Sequence, residues 1–301
     1  MSVEQLLGRV LITGASGFLG SGLCDRLCKN GVEVHAVSRT EQKCDSGVKW
    51  WQGNIEDIQV AQNLFQTVKP NVIFHLSGLV TGAAGSELVL PTFNSLLVST
   101  VNLLTQAVTY GCDRIVLIAS LEEPEPGQNE ASPISPYAAA KWASGAYGRM
   151  FHQLYQTPVV LVRPFMTYGP KQNVRKIIPS VTLSLLKGEP PKLASGQRQV
   201  DWIYIDDVIS GLIAAAHKPD VEGCTFDLGS GNLVSIRSVV QQLTNLVNLQ
   251  IQPLFGALPD RPVEKVRVAN INYTYDKLGW QPLISLDKGL ENTVNWYKQQ
   301  L

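Results

Sequence analysis

The chain has 301 residues, its 25 Lys+Arg balance 25 Asp+Glu, and only 17% of its residues are charged, so no basic face advertises nucleic acid. That length suffices for one large core or two modest domains. Met1 to Leu7 lacks a basic region leading into a long apolar run, no apolar stretch approaches the roughly 20 residues of a membrane span, and the cysteines (Cys24, Cys28, Cys44, Cys112, Cys224) are scattered without zinc spacing. The expectation is a cytoplasmic protein with reduced thiols, no membrane partner and no bound metal.

The first organising stretch is Thr13-Gly14-Ala15-Ser16-Gly17-Phe18-Leu19-Gly20. It follows Val10-Leu11-Ile12, read with Arg9 as a short buried strand, and leads into apolar positions at helical spacing through Leu27. Strand, glycine loop and helix in that order are the setting in which such glycines bind a dinucleotide. Gly14 permits the tight turn, Gly17 lets a pyrophosphate approach the backbone, and Gly20 clears space where the helix packs on the strand. The helix N-terminus at Phe18 and Leu19 then offers free N–H groups and a partial positive charge to the phosphates.

Val32 to Val37 reads as the second strand and Val48 to Trp51 as a shorter third. Helical spacing runs over Glu56 to Val68, and Val72 to Leu76 is another buried strand. A long helix fits Phe93 to Val108, a strand Arg114 to Ala119, a helix Ser135 to Tyr155 and a strand Val159 to Arg163. This alternation predicts an α/β fold with a doubly wound parallel sheet of Rossmann type, binding ligands beyond the C-terminal ends of its strands. After Arg163, glycines and prolines punctuate shorter segments, although Ile205 to His217 is a good helix and Thr225 to Leu228 a late strand. The expected division is a dinucleotide-binding domain over 1–168, with 203–230 returning to it, and a smaller, partly interleaved substrate domain over 169–202 and 231–301.

The end of the second strand bears on the choice of dinucleotide. An acidic residue roughly 20 residues beyond the glycines marks an NAD site, because it accepts hydrogen bonds from the adenosine ribose. Here the strand ends Ala36-Val37-Ser38-Arg39, with Ser38 where that acid is expected. A carboxylate repels a 2′-phosphate, whereas serine and arginine bind one, so NADP(H) is favoured and NAD(H) is the alternative. Arginines at strand ends are also commonly just solvated. Asn54 is placed to hydrogen-bond the adenine edge and Ile55 to cover its face, while Leu76-Ser77-Gly78 passes close to the cofactor. His75 reads as a strand residue rather than a ligand, since no second histidine shares a metal-binding spacing with it.

Tyr137-Ala138-Ala139-Ala140-Lys141 carries the chemistry. Residues four apart share a helix face, so the phenol and the ammonium point the same way. A free phenol has a pKa of about 10, and a neighbouring ammonium and an oxidised nicotinamide favour its phenolate. Tyr137 can then exchange a proton with a sugar or alcohol oxygen while hydride moves between carbon and nicotinamide, and Lys141 can also hold ribose hydroxyls. Ser120, at the end of the preceding strand, supplies a hydroxyl for the reacting oxygen, although a serine that only satisfies a strand terminus looks the same.

With these residues the chain resembles an extended short-chain dehydrogenase/reductase of the NAD-dependent epimerase/dehydratase family, most members of which act on nucleotide-activated sugars. Beyond the glycines and Tyr137-x-x-x-Lys141, the resemblance rests on Arg163-Pro164-Phe165 with Tyr168-Gly169-Pro170, and on Asp201-Trp202-Ile203-Tyr204-Ile205-Asp206-Asp207. It rests further on Asp227-Leu228-Gly229-Ser230-Gly231 and Leu278-Gly279-Trp280-Gln281-Pro282. It implies that Ser120, Tyr137 and Lys141 form the catalytic set, and that Pro164 lies against the cofactor. It also implies substrate contacts at Glu122 and Thr167, a nucleotide diphosphate gripped by Arg198 and Arg261, and a homodimer paired through two long helices.

Departures from the pattern shape the expected reaction. Val200 stands where relatives more often carry arginine, Met166 where many carry asparagine, and Pro124-Glu125-Pro126-Gly127 where the loop after the serine often ends in Tyr-Gly. Glu122 falls where dehydratases carry a glutamate, but Leu121 replaces the neighbouring aspartate and has no proton to give a leaving hydroxyl. Glu122 and Glu123 read equally well as solvated loop acids. With Ser38-Arg39, the expectation is NADPH-dependent reduction of a nucleotide-linked 4-keto sugar, with Tyr137 as proton donor. A C4-type epimerase with a recycled cofactor is the alternative, a 4,6-dehydratase comes after it, and a non-catalytic dinucleotide sensor comes last.

Overall fold

The computed structural model describes residues 7–42, 47–124, 132–247, 250–260 and 266–300. Its contacts divide the chain into two compact units. The first holds Met1–Arg163, Ile209–Phe226 and Asp276–Gly279, and the second holds Pro164–Val208, Asp227–Tyr275 and Trp280–Leu301.

The first unit is built on β1 (Arg9–Thr13), β2 (Glu33–Ser38), β3 (Lys49–Gln52), β4 (Val72–His75), β5 (Arg114–Ile118) and β6 (Val159–Pro164). These pair in parallel, and with the late strand β10 (Thr225–Leu228) the sheet order is β10-β6-β5-β4-β1-β2-β3. The order reverses between β1 and β4, the point where such sheets open a crevice for ligands. The strands read as near-continuous apolar runs because helices cover the sheet, and Leu11, Ile73, Ile115 and Leu161 are fully buried in one core cluster.

Helix ends are set locally. Helix α1 (Phe18–Lys29) starts at Gly17 with no side-chain cap. In α2 (Ile58–Val68) the Asp57 carboxylate accepts from the Gln59 N–H. Between β4 and β5 the chain is helical from Ser86 to Tyr110, as α3 (Val89–Thr92), a π-helical stretch Phe93–Val98 and α4 (Ser99–Tyr110). Contrary to the sequence expectation, this 25-residue run, whose most apolar 18-residue window has a mean hydropathy of 1.4, is long and apolar enough to cross a membrane by length and composition. Asn94, Ser95, Ser99, Thr100 and Asn102 interrupt the apolar residues without adding charge, so no unbroken apolar stretch announces the run. It packs on α2 and on α5 (Pro136–Tyr155), and 33% of its most apolar window is buried within the chain.

The second unit has a three-stranded sheet with the order β11 (Leu233–Ser235), β9 (Gln199–Tyr204), β7 (Met166–Tyr168), and a short pair of β8 (Lys192–Leu193) with β12 (Leu254–Phe255). Helices α6 (Ile177–Leu186), α8 (Ile236–Val247) and α10 (Leu286–Lys298) pack together beside it. Tyr168 stands edge-on to Trp202 and Tyr204 in its core. Helices α7 (Ile205–His217) and α9 (Ile271–Leu278) each run from one unit's residues into the other's.

Candidate active site

Strand register assembles the site at one end of the sheet. Thr13 pairs with Val37 on one side and His75 on the other, and His75 pairs with Leu117. One position further along, Gly14, Ser38, Leu76 and Ile118 therefore emerge side by side, with Ser120 just beyond.

The glycine loop is shaped for an incoming group. Gly14 has φ +68°, and a Cβ there would lie 2.6 Å from the Ser77 nitrogen, so no other residue fits without moving β4's end. A Cβ on Gly20 would strike the Gly14 carbonyl. Gly17 differs: its Cβ position meets only the Gly14 carbonyl, at 3.1 Å, and otherwise faces open space. With no side chain capping α1, the first-turn N–H groups at Phe18 and Leu19 face that opening. These residues fit a pyrophosphate.

A buried hydrogen-bond chain holds the loop. The Thr100 hydroxyl donates to the Leu96 carbonyl at 2.5 Å, so it accepts from His75 Nε2 at 2.9 Å. Nδ1 then accepts from the Thr13 hydroxyl at 2.8 Å, which in turn accepts the Ser77 N–H at 3.3 Å. Burial, with the nearby Lys141 charge adding to it, pushes His75 down to about 3, so it stays neutral. His75 is thus a strand-borne strut between the glycine loop and α4, as its sequence context suggested.

Ser120, Tyr137 and Lys141 converge and are all buried. Ser135 caps α5 by accepting the Ala138 N–H at 3.1 Å, and Pro136 occupies the first turn, which seats Tyr137 and Lys141 on the inward face. Ser120 lies near enough to Tyr137 to lower its phenol, and Lys141 Nζ donates to the Ile118 carbonyl at 2.8 Å. Burial pulls Lys141 down to about 8 against the opposing pull of Glu123. The phenol departs from the sequence expectation. Burial pushes Tyr137 up to about 12; the Ser120 side chain pulls the other way, and the Glu122 and Glu123 charges add smaller upward pushes. At neutral pH this site holds a protonated phenol.

The two loop acids are more than solvated surface charges, Glu122 being half-buried and Glu123 buried. Glu122 Oε2 accepts from the Ser135 hydroxyl at 3.1 Å, which ties the loop after β5 to the cap of α5. Glu123 is buried, and its Oε1 accepts the Ser120 N–H at 2.6 Å.

Residues 10–229 match the NAD dependent epimerase/dehydratase family. The chain belongs to that family. A UDP-glucuronate 4-epimerase of Thermodesulfobacterium geofontis is 28% identical, over 98% of each chain. A dTDP-glucose 4,6-dehydratase of Haemophilus influenzae is 26% identical, covering 96% of this chain and 97% of that one. Among solved structures, a UDP-glucuronic acid 4-epimerase from Bacillus cereus, in complex with UDP-glucuronic acid and NAD, has the same fold. It gives a TM-score of 0.86 at 24% identity, covering 97% of this chain and 100% of that one.

The remaining epimerase/dehydratase-type positions fall as follows. Ser38 lies half-buried at the end of β2, its hydroxyl accepting the Thr40 N–H at 3.2 Å, and Arg39 is exposed. Asn54 is exposed with Oδ1 turned onto the Glu56 N–H at 3.3 Å, while Ile55 packs into the core cluster and its carbonyl accepts from Asn102 at 3.0 Å. Gly78 is exposed, with Leu96 filling the place a side chain would take. In the second unit, Pro164 closes β6, and the Thr167 hydroxyl donates to the Phe165 carbonyl at 3.0 Å. Arg198 sits half-buried just before β9, whereas Arg261 and the loop residues Glu125, Pro126 and Gly127 lie outside the described residues.

Two acids of the family's later motifs have structural work that spacing alone did not reveal. Asp201 accepts from Ser230 N at 2.6 Å, Ser230 Oγ at 2.7 Å, Gly231 N at 3.0 Å and Ala269 N at 2.9 Å. Asp207 accepts from Leu283 N at 3.0 Å and Ile284 N at 2.9 Å, while its carbonyl receives Trp280 Nε1 at 3.2 Å. No local sequence signal marks these partners, because each carboxylate satisfies N–H groups of a loop distant in sequence.

Proposed function

We propose that this chain reduces a 4-keto group on a nucleotide-diphosphate sugar with NADPH, with Tyr137 as the proton donor. The observation that supports this reading is the convergence of Ser120, Tyr137 and Lys141, all buried, with Lys141 Nζ anchored on the Ile118 carbonyl at 2.8 Å. The dinucleotide, when bound on the glycine loop, supplies the hydride. As the new C–H bond forms, Tyr137 delivers its proton to the former carbonyl oxygen, and Ser120 holds that oxygen by a hydrogen bond. Lys141 keeps positive charge beside the phenolate left behind and offers N–H donors to ribose hydroxyls. Arg198 and Arg261 hold the diphosphate, with Thr167, Glu122 and Pro164 completing the contacts to substrate and cofactor. NADP(H) over NAD(H) rests on Ser38 and Arg39, which carry no acid to repel a 2′-phosphate.

A C4 epimerase is the second reading, favoured by the activity of the Thermodesulfobacterium relative. The two separate on purified protein incubated with nucleotide sugars and their 4-keto-6-deoxy forms. Stoichiometric loss of NADPH with keto sugars supports reduction. Interconversion of sugars without net cofactor consumption supports epimerisation and overturns it.

We also infer a homodimer. Phe93, Val108 and Tyr110 on the Ser86–Tyr110 run and Trp142 and Tyr147 on α5 are exposed, a surface suited to a second copy. Light scattering that returns the monomer mass overturns this.

A further inference from the structure

Glu123 does something that neither a solvated loop acid nor the Tyr137 chemistry accounts for. It is 4% exposed, three residues beyond Ser120, and its carboxylate turns back to accept the Ser120 N–H at 2.6 Å. The strand end is thereby closed on itself: Glu123 N–H reaches the Ser120 carbonyl at 3.4 Å, and the Ser120 hydroxyl accepts the Glu122 N–H at 3.2 Å. A buried carboxylate is costly unless its charge is used. Its charged neighbours come from two elements, Lys141 and Arg149 on α5 and Arg163 at the end of β6, and with the Ser120 N–H they oppose the burial that raises its carboxyl.

We propose that Glu123 is a positioning residue that pins the Ser120 main chain and, through its negative charge, keeps Tyr137 and Lys141 protonated between turnovers. This rests on reading Tyr137 as the proton donor. The groups facing the pair are Glu122 and Glu123 on the loop toward Tyr137, Glu123 toward Lys141, and His75 on β4, which is neutral. Both effects of Glu123 have one sign. A carboxylate beside a phenol disfavours phenolate, and beside an ammonium it favours the charged form, so both protons are held more tightly. Burial alone raises the phenol but lowers the ammonium, so Glu123 opposes burial at Lys141 and reinforces it at Tyr137.

Glu123→Gln separates charge from geometry, because the amide oxygen still accepts the Ser120 N–H. Glu123→Ala removes both. Tyrosine ¹³Cζ and lysine ¹³Cε NMR titrations, assigned with Tyr137→Phe and Lys141→Met, read the two groups without any turnover. The expected result is a lower midpoint for both groups in Glu123→Gln, with Lys141 moving further than Tyr137, on which Glu123 acts more weakly than Ser120 or Glu122. The alkaline limb of the kcat/KM profile should move down with them, and Glu123→Ala should show the same shifts plus a lower kcat. Unmoved midpoints in Glu123→Gln overturn the proposal, even if Glu123→Ala loses activity, because that pattern is a purely structural role. If the midpoints move but no variant or wild type reduces a keto sugar, the inference stands and the functional reading fails.

Discussion

Asp201 offers the most quantitative test of how the second unit holds together. Its carboxylate is 2% exposed and receives three backbone N–H groups and one hydroxyl, from Ser230, Gly231 and Ala269. Asp201→Ala leaves the three backbone N–H groups without that acceptor in a space that the methyl does not fill, while the Ser230 hydroxyl keeps the Asn232 carbonyl at 3.2 Å. Each orphaned buried donor costs about 1–3 kcal/mol, and partial access to water around Ser230 trims the sum, so a loss of about 3–5 kcal/mol is expected. That is a large share of the ~5–15 kcal/mol that holds a native chain. Asp201→Asn keeps one acceptor oxygen but turns an NH2 toward two of the N–H donors, so it should lose more than half as much. Urea unfolding followed by tryptophan fluorescence measures this, since Trp202 neighbours the site in sequence and is buried. A wild-type midpoint for Asp201→Ala would show that the motif's acid is not a structural acceptor.

Other predictions follow from the first unit. His75 is neutral in the fold with its pKa pushed from 6.5 to about 3, whereas the unfolded chain takes up that proton below 6.5. Stability present above pH 6.5 is therefore lost as pH falls, by about 2–3 kcal/mol between pH 7 and 4.5, and denaturant titrations of His75→Asn should show a flatter acid slope. Lys141 is held at about 8 instead of 10.5, so burying its charge costs stability below pH 8, and that cost fades as pH rises toward 10.5. Lys141→Met should thus abolish turnover yet raise stability at pH 7 by about 1–3 kcal/mol, with the gain shrinking in alkaline buffer. An equal or lower melting temperature would contradict it. Ser38→Asp should weaken NADPH use by about 10–100-fold, the value of a charge-assisted hydrogen bond or two, with NADH use spared. Equal losses with both cofactors would remove Ser38 from phosphate recognition.

Much of the first unit was legible because each element announces itself within a few residues. Gly14, Gly17 and Gly20 locate the first crossover, and Ser135-Pro136 starts a helix that puts Tyr137 and Lys141 one turn apart. The strand Thr225–Leu228 was also readable, because a short apolar run flanked by glycines has few other homes. What escaped depends on contacts distant in sequence. Helix α4 is preceded by a π-helical stretch whose Leu96 carbonyl accepts from both Thr100 and Ser144, a distortion that no local pattern encodes. Glu123 read as a loop acid because its burial is set by Arg163 and α5. The Tyr137 phenol was expected to lean toward phenolate beside Lys141 and an oxidised nicotinamide; within the chain itself burial dominates, with smaller pushes from two acids that only the fold brings near. Short strands such as β8 and β12, of two residues each, exist only because they pair with one another.

The central claim is that Tyr137 donates the proton in a hydride transfer to a nucleotide-linked sugar. Its most direct test is single-turnover reduction of a nucleotide 4-keto sugar panel, followed by the absorbance of reduced nicotinamide, in wild type and Tyr137→Phe. Measurable NADPH oxidation is expected from wild type and a loss of about 10²–10⁴-fold in the variant, with cofactor binding retained. Turnover in Tyr137→Phe equal to wild type, or no reaction of wild type with any nucleotide sugar, would contradict it.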